Sequence, residues 1–191
     1  MRGFVTTLIA CLLGLGVALA LVFSGLVDVA ASSPHPDVVR RLLRIAMEQS
    51  VERRAASIVP PPSLSAPGRL ARGFAAYDDM CVVCHAAPGS EPSVVARGLS
   101  PEPPRLSETV GHWTDAELFW IVEHGIRMTG MPSFGATHES EELWDLVVFL
   151  RQLETLSPQE YQTLRAARQQ RSGSAPGTRD GAAAHGHRHR H

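Results

Sequence analysis

The chain has 191 residues and a formal net charge of −1. That is room for one ordinary domain with extras, and the charge balance gives no drive toward nucleic acid or acidic partners. All 18 basic residues are arginine, a compositional bias with no functional reading. Phe4 to Val27 is a run of 24 residues without a charged side chain. As a helix it is about 36 Å long, enough to cross a hydrocarbon core. The rival reading is a signal peptide cleaved after Ala31, but a secretory apolar region is usually roughly 7–15 residues. The length therefore favours an uncleaved anchor over residues 4–27, with Arg2 on the cytoplasmic side and the rest of the chain exported. "LIAC" at 8–11 looks like a lipoprotein box, yet too little apolar sequence precedes Cys11.

Residues 31–66 form the next unit. Asp37 is placed to cap a helix starting at Val38, with apolar residues at Val38, Leu42, Ile45 and at Val39, Leu43, Ala46. Arg40, Arg41 and Arg44 fill the remaining face. The prolines at 60–62 end this segment. Two readings stand: a helix on the membrane surface using its arginines against anionic lipid, and a helix packed on the next domain or serving as a stalk. The pattern favours the second.

Residues 67–156 carry three helical patterns and no convincing alternating strand. Leu70, Phe74, Tyr77 and Cys81 share one face of the first. "TDAE" at 114–117 is a capping box for the second, which runs through Leu118, Ile121 and Val122 to a terminating Gly125. Leu143, Leu146, Val147, Leu150 and Leu153 form the stripe of the third, behind the acidic turn "ESEE". In 157–191, Ser157 caps a short polar helix to about Arg171, and a Gly/Ala/Arg/His-rich tail follows. His185, His187, His189 and His191 alternate along that tail as a possible copper, nickel or zinc chelator.

The chemistry concentrates at Cys81-Val-Val-Cys84-His85. With only two cysteines in the exported part and a short loop between them, a disulfide framework is a poor explanation. A thioredoxin-like dithiol needs a strand–helix context that is missing. Tetrahedral zinc needs four ligands, and this stretch offers at most three with an awkward adjacency. The third reading is C-x-x-C-H, the attachment signature of a c-type haem. Two thiols at this spacing reach the vinyl groups on one porphyrin edge, and the following imidazole lies under the iron. A second axial ligand is offered by "GIRMTGMPSFG" at 125–135. Met–His ligation raises the potential of an electron-transfer haem. Met131, followed by Pro132 and flanked by glycines, is the favoured ligand, and Met128 is the alternative. Trp113, Trp120 and Arg127 are weaker candidates to line the haem or pair with its propionates. His112, His124 and His138 read as surface residues.

Residues 67–156 also resemble a monohaem class I cytochrome c domain, of the kind related to subunit III of cbb3-type oxidases. The resemblance rests on C-x-x-C-H, on Gly73 and Tyr77 eight and four residues before Cys81, and on Leu146 and Phe149 in "DLVVFL". It implies an all-α cytochrome c fold, three main helices around one covalently attached haem, here behind an N-terminal transmembrane helix. It further implies that Leu146 and Phe149 cross the first helix at Gly73, and that Pro104 in "PPRL" accepts a hydrogen bond from His85 Nδ1. The stretch before Pro104 is longer than the family pattern.

The expected function is that of a periplasm-facing, membrane-anchored electron carrier with one haem c, exchanging electrons with membrane-bound or soluble redox proteins. No enzymatic turnover, small-molecule substrate or nucleic acid is expected. A haem-bearing subunit of a larger oxidase or dehydrogenase is the alternative, and metal handling by the histidine tail is a reading from another class.

Overall fold

The computed structural model describes residues 2–173. Among the described residues the structure is all helical, with no strand. Helix α1, Arg2–Phe23, buries none of its side chains and is long and apolar enough to cross a membrane. At about 33 Å it matches a hydrocarbon core. Gly25, at φ 71°, turns the chain just beyond it.

Helix α2 is Asp37–Ala55. Pro36, not Asp37, stands at its N-cap, and no side chain caps it. Asp37 sits inside the first turn instead, where its carboxylate accepts from Arg40 at 2.5 Å. The extended backbone of Pro36 starts the helix one residue earlier than a capping aspartate would. Only the C-terminal half of α2 is docked: Val51 and Ala55 are buried, packed toward helix α4, Asp115–His124.

The core is a helix crossing. Helix α3, Arg69–Ala76, continues through a π turn, Tyr77–Cys81, into one α turn, Val82–His85. It crosses helix α5, Ser140–Gln152, at Gly73. A Cβ on Gly73 would stand 1.9 Å from the Asp145 carbonyl oxygen and 2.9 Å from Phe149 Cβ. Only glycine lets the two backbones approach this closely. Phe74, Tyr77 and Phe149 pack around the crossing with ring centroids 5.2–5.4 Å apart. The α5 stripe of Leu143, Leu146, Val147 and Leu150, with Leu153 beyond it, is buried as its spacing predicts. On the second helix, Phe119 stacks on Trp144 at 4.3 Å, and the Thr114–Glu117 capping box is formed.

Two features depart from the sequence reading. Leu70 is exposed, and its neighbour Arg69 is the buried residue. Arg69 Nη1 donates to Asp145 at 2.7 Å, and the guanidinium also holds Glu141 and the Ser63 carbonyl. A buried cation of this kind is tolerated because each of its donors is satisfied. Helix α6, Pro158–Gly173, is not an appendage outside residues 67–156. Its Tyr161 is 0% exposed, sits 5.4 Å from the Phe74 ring and donates to Asp78 at 2.7 Å. Arg168 reaches Asp78 at 3.2 Å and Asp79 at 2.5 Å. One buried tyrosine and the Arg168 ion pairs suffice to dock a helix that is otherwise largely exposed, and a short polar sequence shows no stripe that would announce it. His185, His187, His189 and His191 lie outside the described residues.

Candidate functional site

The Cys81–His85 segment is positioned by the end of the α3 run. The backbone widens into a π turn immediately before it, a distortion often found at functional sites. Cys81 is buried and Cys84 half-buried, and both are free thiols. Burial, helped by nearby Cys84, pushes the Cys81 thiol up to about 12. After His85 the chain leaves the helix through Ala86, held at φ 59°. A non-glycine residue in this region is strained and needs support. The support is Tyr77, whose hydroxyl donates to the Ala86 carbonyl at 2.7 Å inside the core. Ser93 secures the same turn from the far side, donating to the Val83 carbonyl at 2.5 Å.

His85 Nδ1 donates to the Pro104 carbonyl at 2.8 Å. A carbonyl only accepts, so this bond fixes the tautomer with its lone pair on Nε2. Burial lowers the imidazole pKa, and the Pro104 bond opposes that shift in part. A neutral ring with Nδ1 engaged is the form in which histidine ligates a metal. The Pro104 segment is itself held: Arg105 donates to the Ser90 carbonyl at 3.0 Å and reaches Glu91 at 3.8 Å. Tyr77, Arg105, Leu106 and Leu153 line a small cleft beside His85.

The 125–135 loop is laced to the end of α4. Phe134 N donates to the Val122 carbonyl at 3.1 Å, Gly135 N to the Glu123 carbonyl at 2.9 Å, and Ser133 Oγ to the same Glu123 carbonyl at 2.6 Å. Gly125, at φ 65°, lies under the loop, and a Cβ there would stand 2.6 Å from the carbonyl oxygens of Met131 and Pro132. Met131 is fixed through its backbone: its N–H donates to Thr129 Oγ1 at 3.1 Å and its carbonyl accepts from Ile126 at 3.3 Å. Its side chain is half-buried. Met128, at φ 61°, is 79% exposed at the loop tip. A Cβ on Gly130 would meet the Leu99 side chain at 2.8 Å, so this loop lies against the segment that leads to Pro104.

Trp113 is half-buried against the core. Its carbonyl, with that of Val110 and the Asp115 carboxylate, is clasped by Arg151 at 2.6–3.0 Å. Trp120 stacks on His124 at 4.7 Å, and Arg127 is exposed without a hydrogen bond or ion pair to any described residue. His112 and His124 are exposed, while His138 is half-buried and bonded to Thr137 and the Phe134 carbonyl. Among the described residues no group of three or more His, Cys, Asp or Glu side chains is placed to hold a metal ion, which leaves the zinc reading of Cys81, Cys84 and His85 without a further donor. The supporting roles of Ser93, Thr129 and Arg151 have no sequence signal, since each acts on a backbone carbonyl or amide brought near only by the fold.

The donor set fits a c-type haem: two free thiols three positions apart, then an imidazole with Nε2 available, beside a methionine-bearing loop. Residues 68–150 match the family described as cytochrome c oxidase, cbb3-type, subunit III. No curated protein matches the chain. Residues 68–150 are thus similar to the class I c-type cytochrome domain of cbb3-type subunit III, a likeness that points to a haem-bearing, electron-transferring protein.

Proposed function

We propose that the chain is a membrane-anchored monohaem cytochrome c that passes single electrons between respiratory redox proteins, with its haem domain on the periplasmic side of a bacterial inner membrane. The observation that carries this reading is the 2.8 Å bond from His85 Nδ1 to Pro104, one residue after the second thiol. A haem c supplies a one-electron couple at its iron. The chain's own residues do the rest. Cys81 and Cys84 attach the group through thioethers, which suits an exported protein that would otherwise lose it by dilution. His85 would hold the iron through Nε2, with the Pro104 carbonyl orienting its ring and making it a stronger donor. Met131 would supply the second iron ligand, its backbone pinned on both sides, while Met128 is exposed at the loop tip. A ligand loop tied to α4 by three bonds to backbone carbonyls changes little between oxidation states, which favours transfer over substrate turnover. Helix α1 supplies the anchor, and Arg2 at its start supports an N-terminus in the cytoplasm. In this arrangement residues 1–30 anchor, 31–66 connect, and the haem domain runs from 67 through α6.

A visible spectrum of protein matured with c-type haem machinery tests the reading. The expected result is a sharp reduced α-band, a weak far-red band in the oxidised protein, and haem that resists acid-acetone extraction. Extractable haem overturns the covalent attachment, and a far-red band surviving in Met131→Ala overturns that ligand.

The family match favours a second reading, a haem-bearing subunit of a larger oxidase. Detergent extraction separates the two. A stoichiometric partner that co-purifies supports the subunit, and a monodisperse lone cytochrome supports the carrier.

A further inference from the structure

Helix α2 has two halves with different surroundings. Its C-terminal half is fastened to the cytochrome domain by Val51 and Ala55. Its N-terminal half is not: every residue from Asp37 to Ala46 is exposed. That exposed half is strongly apolar on one side. Val38, Val39, Leu42, Leu43 and Ile45 are between 38% and 64% exposed. At 3.6 residues per turn these five side chains and Ala46 cover an arc of about 160°. Met47, Val51 and Ala55, which face the domain, project to the other side. With Val38 at 0° the arc runs from about −20° to 140°; Arg40 and Arg41, at about 200° and 300°, stand beyond its two edges, and Arg44, at about 240°, lies opposite it on the side of Val51. Past Ala46 the same arc turns polar, with Gln49, Glu52 and Arg53. The apolar face is thus confined to the undocked half.

We propose that the Val38–Ala46 half of α2 lies in the interface of an anionic lipid bilayer, with its aliphatic side chains at the acyl boundary and the flanking Arg40 and Arg41 against lipid phosphates. The inference rests on the membrane-anchored reading of α1. Residues 24–36 join Phe23 to Asp37, thirteen residues that reach at most about 45 Å when extended. The tether therefore holds this face at high effective concentration over the bilayer from which it emerges. A wide aliphatic arc bordered by arginine is the composition that settles at headgroup depth. One rigid helix, about 28 Å long, then has lipid at one end and the cytochrome at the other. It acts as a strut that sets the height and tilt of the haem domain over the membrane, where a flexible linker would leave both free.

Hydrogen exchange of the full chain in nanodiscs tests this. An undocked half-helix frays, so its amides report any surface that covers it. In phosphatidylglycerol discs the amides of residues 38–46 are expected to exchange roughly tenfold more slowly than in phosphatidylcholine discs, while those of 48–55 do not change. Arg40 and Arg41 both replaced by Gln should abolish the difference and leave the visible spectrum intact. Equal exchange of 38–46 in the two lipids overturns the proposal, and so does a difference that survives the arginine replacement. Alkaline extraction of the same protein from vesicles separates this failure from failure of the anchor. A chain that stays in the membrane yet shows no lipid dependence at 38–46 sinks the strut alone. A chain released into solution sinks both.

Discussion

The α3–α5 crossing and the 125–135 loop sit on one small domain and are held in opposite ways. At the crossing, backbones touch at Gly73, aromatic rings fill the space around it, and a buried arginine joins the helices through Asp145. The loop has little packing. Met131 is only half-buried and Pro132 exposed, and the order comes from amides and hydroxyls aimed at carbonyls of α4 and of the loop itself. The crossing thus stores the stability of the domain, while the loop stores a position. Damage to the first should unfold the protein, and damage to the second should move a ligand in a protein that stays folded.

Gly73→Ala gives the sharpest contrast. The added carbon would stand 1.9 Å from a backbone oxygen of the other helix, which no side-chain rotation relieves. The expected loss is about 3 kcal/mol, read from the urea midpoint. An unchanged midpoint would break the assignment of the crossing as the stable half. Tyr77→Phe comes next. It keeps the ring in the core and removes the donor to the Ala86 carbonyl. Stranding that carbonyl should cost about 1–3 kcal/mol. The reduced α-band should persist, because Cys81, Cys84 and His85 keep their own supports.

The crossing was the legible half. The family resemblance implied the contact of Gly73 with Leu146 and Phe149; within the chain itself, apolar periodicity located α5 and the capping box located the start of α4. These signals are local or repeat at the helical period, so a single chain displays them. C-x-x-C-H and the Met131 loop were visible for a different reason, since their residue types have few other uses in this pattern. What could not be read depends on groups distant in sequence. The helical spacing puts Leu70 on the inward face, yet Arg69 is the buried residue because Asp145 and Glu141 lie across from it in space. Tyr161 looked like part of a polar helix, and its burial depends on a gap beside Phe74 that only the folded core defines. The π turn at Tyr77–Cys81 left no mark in the sequence.

Gly125→Ala asks the converse question of the loop. Gly125 occupies φ 65°, ψ −175°, and a methyl group would press on the carbonyls of Met131 and Pro132. The backbone strain alone is roughly 1–3 kcal/mol in this glycine-only region. The larger consequence is local. Relief of the clash pushes the Met131 backbone away from α4, so the far-red band should weaken or vanish while the thermal transition moves only a few degrees. Full unfolding instead would show that the loop supports the domain and that the division between the two regions is wrong.

The smallest effect concerns α6, which belongs to the stable half through Tyr161 yet begins in solvent. The Ser157 hydroxyl and amide both bond the Glu160 carboxylate, at 2.6 and 2.8 Å, and hold its pKa below the ordinary 4.5. A carboxyl with a depressed folded pKa stabilises above its unfolded value and loses that contribution as pH falls through the folded one. The first turn of α6 should therefore loosen on acidification below about pH 4.5, seen as faster amide exchange at Glu160 and Tyr161, corrected for the intrinsic pH dependence. Glu160→Gln, which cannot ionise, should remove the pH dependence. Because Tyr161 is anchored in the core by its ring, the loosening should stop at the first turn and leave the Phe74 contact unchanged. Loss of the whole helix at that pH would place α6 with the loop, as an element held by polar bonds and not by packing.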